Sequence, residues 1–176
     1  MAGRKGLHTM SEAPSGSWDS PEVENFARHA GLEPKKSAEG AGDDAISQDQ
    51  ADVHAWYTTG MELLGKGSPA AAAQILQRAA NAEPASRSVR EALARAQFDT
   101  GRYAEAADNF RVIVEASPSD DYAHFGLGLA LTRTGDHQAA VEYLALAAAM
   151  RPDRKPYTDA LREVRATLEA RKRTAE

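Results

Sequence analysis

The sequence contains no cysteine, which excludes a disulfide framework, thiolate metal ligands and cysteine nucleophiles. It also has no run of about 18 consecutive apolar residues, the minimum for a membrane-spanning helix. Arg4 and Lys5 lie near the N-terminus, but the apolar segment of a signal peptide does not follow them. We therefore expect a soluble cytoplasmic protein that does not insert into membranes, and the alanine-rich, cysteine-free composition favours a bacterial source.

An excess of positive charge is also missing. The formal net charge is −5, and residues 1–52 account for all of it, with 5 Lys or Arg against 10 Asp or Glu. Residues 53–176 carry 16 of each sign. A chain without a basic field has little to attract phosphate backbones, so general binding to nucleic acid is not expected.

Reactive side chains do not converge in any recognisable motif. His54, His124 and His137 are the histidines of the region after residue 52, and none has the spacing of a metal-binding HExxH motif. No glycine-rich phosphate loop or GxSxG sequence is present. We therefore expect no catalytic residues, metal, cofactor or small-molecule substrate.

The acidic first third, residues 1–52, is rich in Gly, Ser, Glu, Asp and Pro. Such a composition buries too little apolar surface to offset chain entropy, so 1–17 and 33–50 are predicted to be disordered. The exception is a short amphipathic helix predicted at about 20–31, with Ser20 as N-cap and Pro21 in the first turn.

The apolar groups of this segment suggest a docking helix: Trp18, Val23, Phe26 and Leu32. Two partners are conceivable, the chain's own groove, described below, or a second protein. The second is slightly favoured because about 20 linking residues also permit separation. A third interpretation is a helical pattern without any docking function.

From about residue 53, several residue types recur every 34 residues. The columns are prolines (Pro84, Pro118, Pro152), glycines (Gly67, Gly101, Gly135), alanines (Ala72, Ala106, Ala140), large apolar residues (Leu76, Phe110, Leu144) and small residues (Gly60, Ala94, Gly128). Small residues allow two helices to approach closely, whereas glycine and proline end helices. The period therefore predicts repeated helix–turn–helix units that stack into a solenoid.

A 34-residue helical unit with these columns resembles the tetratricopeptide repeat (TPR) family. The resemblance implies an all-α solenoid of about seven antiparallel helices, preceded by the largely disordered N-terminal tail. Its expected divisions are repeats at 53–86, 87–120 and 121–154, followed by a capping helix at about 155–171 and a basic C-terminus that ends at residue 176.

Some columns depart from the family pattern. Arg90 and His124 replace the aromatic found at Trp56, and Gln97 replaces a large apolar residue, so the second repeat is locally more polar. The expected capping helix carries an apolar stripe that should face the third repeat, formed by Tyr157, Leu161, Val164 and Leu168.

The resemblance also implies a concave face lined by the first helix of each repeat, and this is the predicted partner-binding groove. Its residues are Tyr57, Met61, Leu64, Glu91, Arg95, Phe98, Tyr122, Phe125, Leu129 and Arg133. Seven of these ten are apolar or aromatic, which suits an amphipathic helix or an apolar peptide. Truncating Phe98 and Phe125 together is expected to abolish binding without loss of helicity.

The expected function is that of a non-catalytic adaptor that binds a protein or peptide. TPR co-chaperones grip an acidic C-terminal peptide through a clamp of Lys, Asn and Arg residues. The matching positions here are Tyr57, Met61, Ala92, Tyr122 and Gly126, none of which pairs with a carboxylate as a cation does. The alternative function is a structural scaffold that self-associates through the repeat ends; the sequence does not decide the oligomeric state.

Overall fold

The computed structural model describes residues 48–175. This part of the chain forms seven α-helices and no β-strand. The helices are α1 (Gln48–Gly65), α2 (Pro69–Ala82), α3 (Arg87–Asp99), α4 (Tyr103–Ala116), α5 (Asp121–Thr134), α6 (His137–Met150) and α7 (Lys155–Ala175). The predicted all-α fold and helix number are confirmed. The predicted docking helix and the rest of residues 1–47 lie outside the described residues.

The first and last helices are longer than predicted. Helix α1 begins at Gln48, a few residues before the predicted start of the first repeat at residue 53. Asp52 lies in its second turn, near the N-terminal end where the helix dipole favours negative charge. Helix α7 continues to Ala175, and Lys172 and Arg173 lie in its last turn, where the dipole favours cations.

A glycine with a left-handed backbone follows the first helix of each pair within two residues. The φ angles are 70° at Gly67, 78° at Gly101 and 91° at Gly135. The residue after each glycine donates its N–H to a carbonyl five positions back, for example Ser68 to Leu63 at 2.9 Å and Asp136 to Leu131 at 3.0 Å. This is the Schellman arrangement, which favours glycine because a side chain is strained at positive φ.

The helices stack in the order in which they occur along the chain. Each helix packs against the next, and α1, α3, α5 and α7 also contact one another in series. The largest apolar cluster of the described residues extends from Ala94 in α3 to Val164 in α7. The first helices of successive pairs therefore share one side of a solenoid. No helix within residues 48–175 is both long enough and apolar enough to span a bilayer.

The small-residue column marks the closest approach within a helix pair. A Cβ atom added to Gly60 would lie 2.5 Å from Cγ of Leu76, and one added to Gly128 would lie 2.6 Å from Cγ of Leu144. Ala94 holds the corresponding position in the second pair and is fully buried. Because real Cβ atoms do not approach this closely, larger residues at these positions would separate the two helices.

The polar residues of α3 that depart from the family pattern form one connected hydrogen-bond network with side chains of α4. The Asn109 amide donates to Oε1 of Gln97 at 2.8 Å, and the Arg90 guanidinium donates to Oδ1 of Asn109 at 2.9 Å. The Gln97 amide also donates to Glu105 at 3.1 Å. Gln97 is only 2% exposed, so its hydrogen bonds offset the cost of burying an amide.

Replacing Asn109 by alanine should destabilise the protein by about 1–3 kcal/mol, because buried Gln97 would lose the donor to its carbonyl oxygen. Urea denaturation followed by circular dichroism measures this change. The matched control is Asn81→Ala, which removes an exposed hydrogen bond with Gln77 and should change stability by less than about 0.5 kcal/mol. Equal effects of the two substitutions would contradict a structural role for the network.

Helix α7 covers the C-terminal end of the stack. Its Tyr157 and Val164 are buried in the main apolar cluster, and the Tyr157 hydroxyl donates to Asp121 of α5 at 2.9 Å. Leu161 and Leu168 are only partly buried. Counting on by the 34-residue period, Arg162 stands where the earlier pairs have Gly60, Ala94 and Gly128, and its side chain is 74% exposed. A long charged side chain at this position disfavours close packing of a further helix.

Candidate functional site

The ten predicted groove residues lie on α1, α3 and α5, the first helices that contact one another in series. They divide evenly by burial. Tyr57, Met61, Glu91, Tyr122 and Arg133 are partly exposed, whereas Leu64, Arg95, Phe98, Phe125 and Leu129 are buried. The accessible part of this surface is therefore smaller and more polar than the spacing suggested.

The two buried phenylalanines pack inside the protein. Phe98 contacts the ring of Tyr103 edge-on, with centroids 5.1 Å apart. Phe125 stacks on Tyr157 of α7, with centroids 4.3 Å apart and planes inclined by 26°. Both belong to the main apolar cluster. Their first contribution is therefore to the stability of the stack.

The partly exposed residues surround these core contacts. Tyr57 and Met61 pack against the cluster that contains Leu64. The guanidinium carbon of Arg133 lies 5.8 Å from the centre of the Tyr103 ring, within cation–π distance. Together they offer aromatic and aliphatic area from α1 and a cation from α5.

Arg95 lies at the centre of this surface. The residue is 7% exposed, and its Nε is buried without a hydrogen-bond partner among residues 48–175. The guanidinium is close enough to the hydroxyls of Tyr57 in α1 and Tyr122 in α5 to lower their pKa values, although burial raises both more strongly. Arg95 therefore lies between three helices, and its charge is only partly compensated.

Two carboxylates flank Arg95, one turn before and one turn after it on α3. Burial raises the pKa of Glu91, and Arg87 opposes the shift through an ion pair at 3.4 Å. Asp99 is exposed, and partial desolvation of its carboxyl group raises the pKa to about 6, while Arg95 opposes this shift. Arg87 additionally pairs with Asp120, the N-cap residue of α5. Within the described residues, Arg95 forms no salt bridge with either of the flanking carboxylates.

Sequence reasoning did not identify the acidic edge that α7 contributes beside this surface. Glu163 is half-buried, and its pKa is raised first by burial and then by neighbouring Asp159. Arg162 pairs with Asp159 at 2.6 Å and opposes that shift. By the 34-residue period, Asp159 and Glu163 correspond to the groove positions Phe125 and Leu129. Extending the predicted columns into the capping helix would have identified both carboxylates.

The histidines lie apart from this surface or serve packing. His124 is 3% exposed and its Nδ1 lies 2.8 Å from the Asp120 carbonyl oxygen, while its ring faces Tyr143. His137 is buried at the start of α6, and His54 is exposed on α1. Within residues 48–175, no cluster of three or more His, Cys, Asp or Glu residues has metal-binding geometry.

The positions that match the chaperone-peptide clamp also offer no cationic side chain. Ala92 is 5% exposed, and Gly126 lies against the ring of Phe110, where an added Cβ would be 2.5 Å from Cζ. The basic residues at the C-terminal end, Arg171, Lys172 and Arg173, are exposed on the last turns of α7. Arg173 approaches Glu169 at 3.9 Å, one turn earlier.

The described helices thus form an open stack of antiparallel pairs with a shared first-helix surface, the architecture of a helical repeat protein. A tetratricopeptide repeat family model matches residues 57–121 and 91–155, which together span more than half of the chain. The chain belongs to the tetratricopeptide repeat family. Tetratricopeptide repeats are protein-interaction modules.

Solved structures show the same fold at low sequence identity. MamA from Desulfovibrio magneticus is 20% identical, with a TM-score of 0.66 over 72% of this chain and 72% of that chain. The first TPR domain of Spaghetti (RPAP3), bound to the HSP90 peptide SRMEEVD, is 18% identical, with a TM-score of 0.64 over 71% and 99%. The Sgt2 TPR domain from Aspergillus fumigatus is 19% identical, with a TM-score of 0.64 over 70% and 83%. No curated protein matches the chain.

Proposed function

We propose that this protein is a non-catalytic adaptor that binds a helix or peptide of a partner protein along the first-helix surface of α1, α3 and α5. The observation that carries the proposal is the set of partly exposed side chains around Arg95: Tyr57, Met61, Glu91, Tyr122 and Arg133. Aromatic residues and arginine contribute strongly to binding at protein interfaces. The buried members of the predicted groove hold this surface in place.

Similar structures support a peptide as the ligand, since TPR domains of RPAP3 are solved with HSP90 and HSP70 peptides. The recognition chemistry proposed here differs from a multi-cation clamp, because one central cation, Arg95, lies between apolar groups and two flanking carboxylates. We further propose that the repeats divide at 53–86, 87–120 and 121–154, and that the protein acts in the cytoplasm.

The alternative function, a scaffold that self-associates through the repeat ends, has less support than the adaptor. Stacking through the C-terminal end would bring another helix against Arg162, whose length prevents the close approach that Gly60 and Gly128 permit. Light scattering over a concentration series tests this alternative. The adaptor should keep one molecular mass, whereas the scaffold should grow with concentration.

The adaptor is tested by placing a charge on the proposed surface. Met61→Lys should weaken capture of the native partner by about tenfold or more, because a buried ammonium would replace apolar contact area. The matched control is Val112→Lys on α4, since Val112 is already 42% exposed. Capture from a host lysate, quantified by mass spectrometry for both variants, gives the comparison.

Partners that are lost with Met61→Lys and kept with Val112→Lys would support binding at this surface. Melting curves of both variants show whether the fold is retained. If a folded Met61→Lys protein captured the same partners as the unmodified chain, the first-helix surface would not be the binding site.

A further inference from the structure

Arg95 lies in the groove surface, but the helices that form this surface supply no hydrogen-bond acceptor to its Nε. The residue is more than nine-tenths buried, and its Nε has no hydrogen-bond partner among residues 48–175. An unpaired guanidinium in a partly desolvated site is costly, and a carboxylate is its best partner in both charge and planar geometry. The position therefore favours a ligand that carries a carboxylate beside apolar groups.

The nearby carboxylates do not fill this role. Glu91 pairs with Arg87 at 3.4 Å, and Asp99 lies one turn after Arg95 on the same helix. Desolvation raises the pKa of both carboxyl groups, and Arg95 opposes the shift in each without forming a salt bridge to either. Arg95 is thus left to a group that comes from outside α1, α3 and α5.

We propose that residues 18–32 of this same chain occupy the groove surface, with the Glu22 carboxylate bound to Arg95. This inference rests on the proposed function, since it takes the first-helix surface to be the binding site. It adds that the N-terminal segment competes there with the partner protein.

The sequence of the segment supplies the required chemistry. In the predicted helix, Val23, Phe26, Ala27 and Ala30 share one face. In that helix Glu22 would lie about 90° from the centre of this face, one turn before Phe26, and Glu24 about 110° from it on the opposite side. One carboxylate can therefore approach Arg95 while the apolar face covers Tyr57, Met61 and Tyr122.

Chain length permits this occupant. Residues 33–47 join it to Gln48, and an ideal random-coil chain of that length has an r.m.s. span of ~21 Å. Along α1, Gln48 and Met61 are separated by about 20 Å. Because the two lengths agree, a tethered segment would reach the surface at roughly millimolar effective concentration.

The experiment uses the full chain and its lack of cysteine. An Asn25→Cys variant carries one nitroxide label on the polar side of the segment, and paramagnetic broadening is measured on backbone amides. Docking should broaden the signals of Met61, Arg95 and Leu129 and spare those of Val112 and Leu146. Equal broadening over both sets, or none at all, would overturn the proposal.

Two further variants of the segment test the proposed contact without touching the folded helices. Glu22→Gln should lower the docking equilibrium about tenfold, the loss expected for one charge-assisted pair, and the broadening should fall accordingly. Glu24→Gln removes the same charge from the other side of the helix and should leave the broadening unchanged. Equal effects of the two would exclude the Glu22–Arg95 contact.

A mixed sample separates the chain's own segment from that of a second copy. Isotope-labelled protein without a nitroxide is combined with nitroxide-labelled protein that carries no isotope. Broadening in this mixture would show docking between copies and overturn the intrachain proposal. The proposed function is tested independently of the nitroxide experiment. It would be contradicted if the Met61→Lys variant captured partners as well as the unmodified chain does.

Discussion

Replacing Gly126 by alanine is expected to destabilise the protein by about 1–3 kcal/mol, although the change adds one methyl group and alanine favours helices. The added Cβ would lie 2.5 Å from Cζ of Phe110 and 2.7 Å from Cε1 and Cε2. Phe110 is fully buried and its ring contacts Tyr122 edge-on, with centroids 6.2 Å apart. The ring therefore has no space to retreat, and α5 must move away from α4.

Thermal denaturation of Gly126→Ala should show a melting temperature lower by several degrees. The matched control is Gly65→Ala at the end of α1, where an added Cβ would have no heavy atom within 4 Å. This control should be neutral or slightly stabilising, because alanine reduces the entropy of the unfolded chain. Similar melting temperatures for the two variants would show that the Phe110 contact does not limit the packing.

A second substitution tests whether Phe110 itself causes the loss. Phe110→Leu shortens the side chain that faces Gly126, and it is destabilising alone because it leaves a cavity. In the double variant with Gly126→Ala, the added methyl group occupies part of that space. The double variant should therefore be more stable than the sum of the two single effects, as a double-mutant cycle would measure.

The sequence predicted the repeat architecture well because the required backbone positions recur. Glycine occurs every 34 residues where the structure has a positive φ, and small residues recur where two helices nearly touch. Such positions tolerate few residue types, so their pattern is visible even in one sequence. Gly126 has no counterpart at the same position in the other units, which have Ala92 and Thr58, and its role was therefore missed.

Pairing between side chains was harder to predict than backbone geometry. Arg90 and Gln97 were recognised as polar departures, but Asn109, which accepts from one and donates to the other, lies on the next helix. A period identifies equivalent positions and does not identify which side chains meet across helices. The unpaired Nε of Arg95 is likewise visible only once its three surrounding helices are in place.

The burial of the predicted groove shows the same limit. Spacing of i, i+4, i+7 places Leu64, Phe98 and Leu129 on the same face of their helices as the partly exposed Met61 and Tyr122. It does not tell how deeply the neighbouring helices cover each residue. The structure buries Leu64 and Leu129, at 6% and 2% exposure, and leaves Met61 and Tyr122 partly accessible.

Truncating Phe98 and Phe125 together should therefore unfold much of the protein, in contrast to the retained helicity expected from the sequence. Phe98 and Phe125 are 6% and 9% exposed, and each packs on a tyrosine, Tyr103 and Tyr157 respectively. Replacing a buried phenylalanine by alanine costs about 3–5 kcal/mol. Two such losses approach the whole stability of a typical domain, about 5–15 kcal/mol.

Far-UV circular dichroism and urea denaturation of Phe98→Ala, Phe125→Ala and the double variant measure this effect. The control is the double variant Phe98→Leu/Phe125→Leu, which keeps most of the apolar volume and should remain folded. If the double alanine variant kept full helicity and a cooperative transition near that of the unmodified chain, the two rings would contribute little to the stability of the stack. Loss of helicity with alanine and its retention with leucine would instead show that these aromatics support the surface from beneath, and that Tyr57, Met61 and Arg95 are the residues to vary in binding experiments.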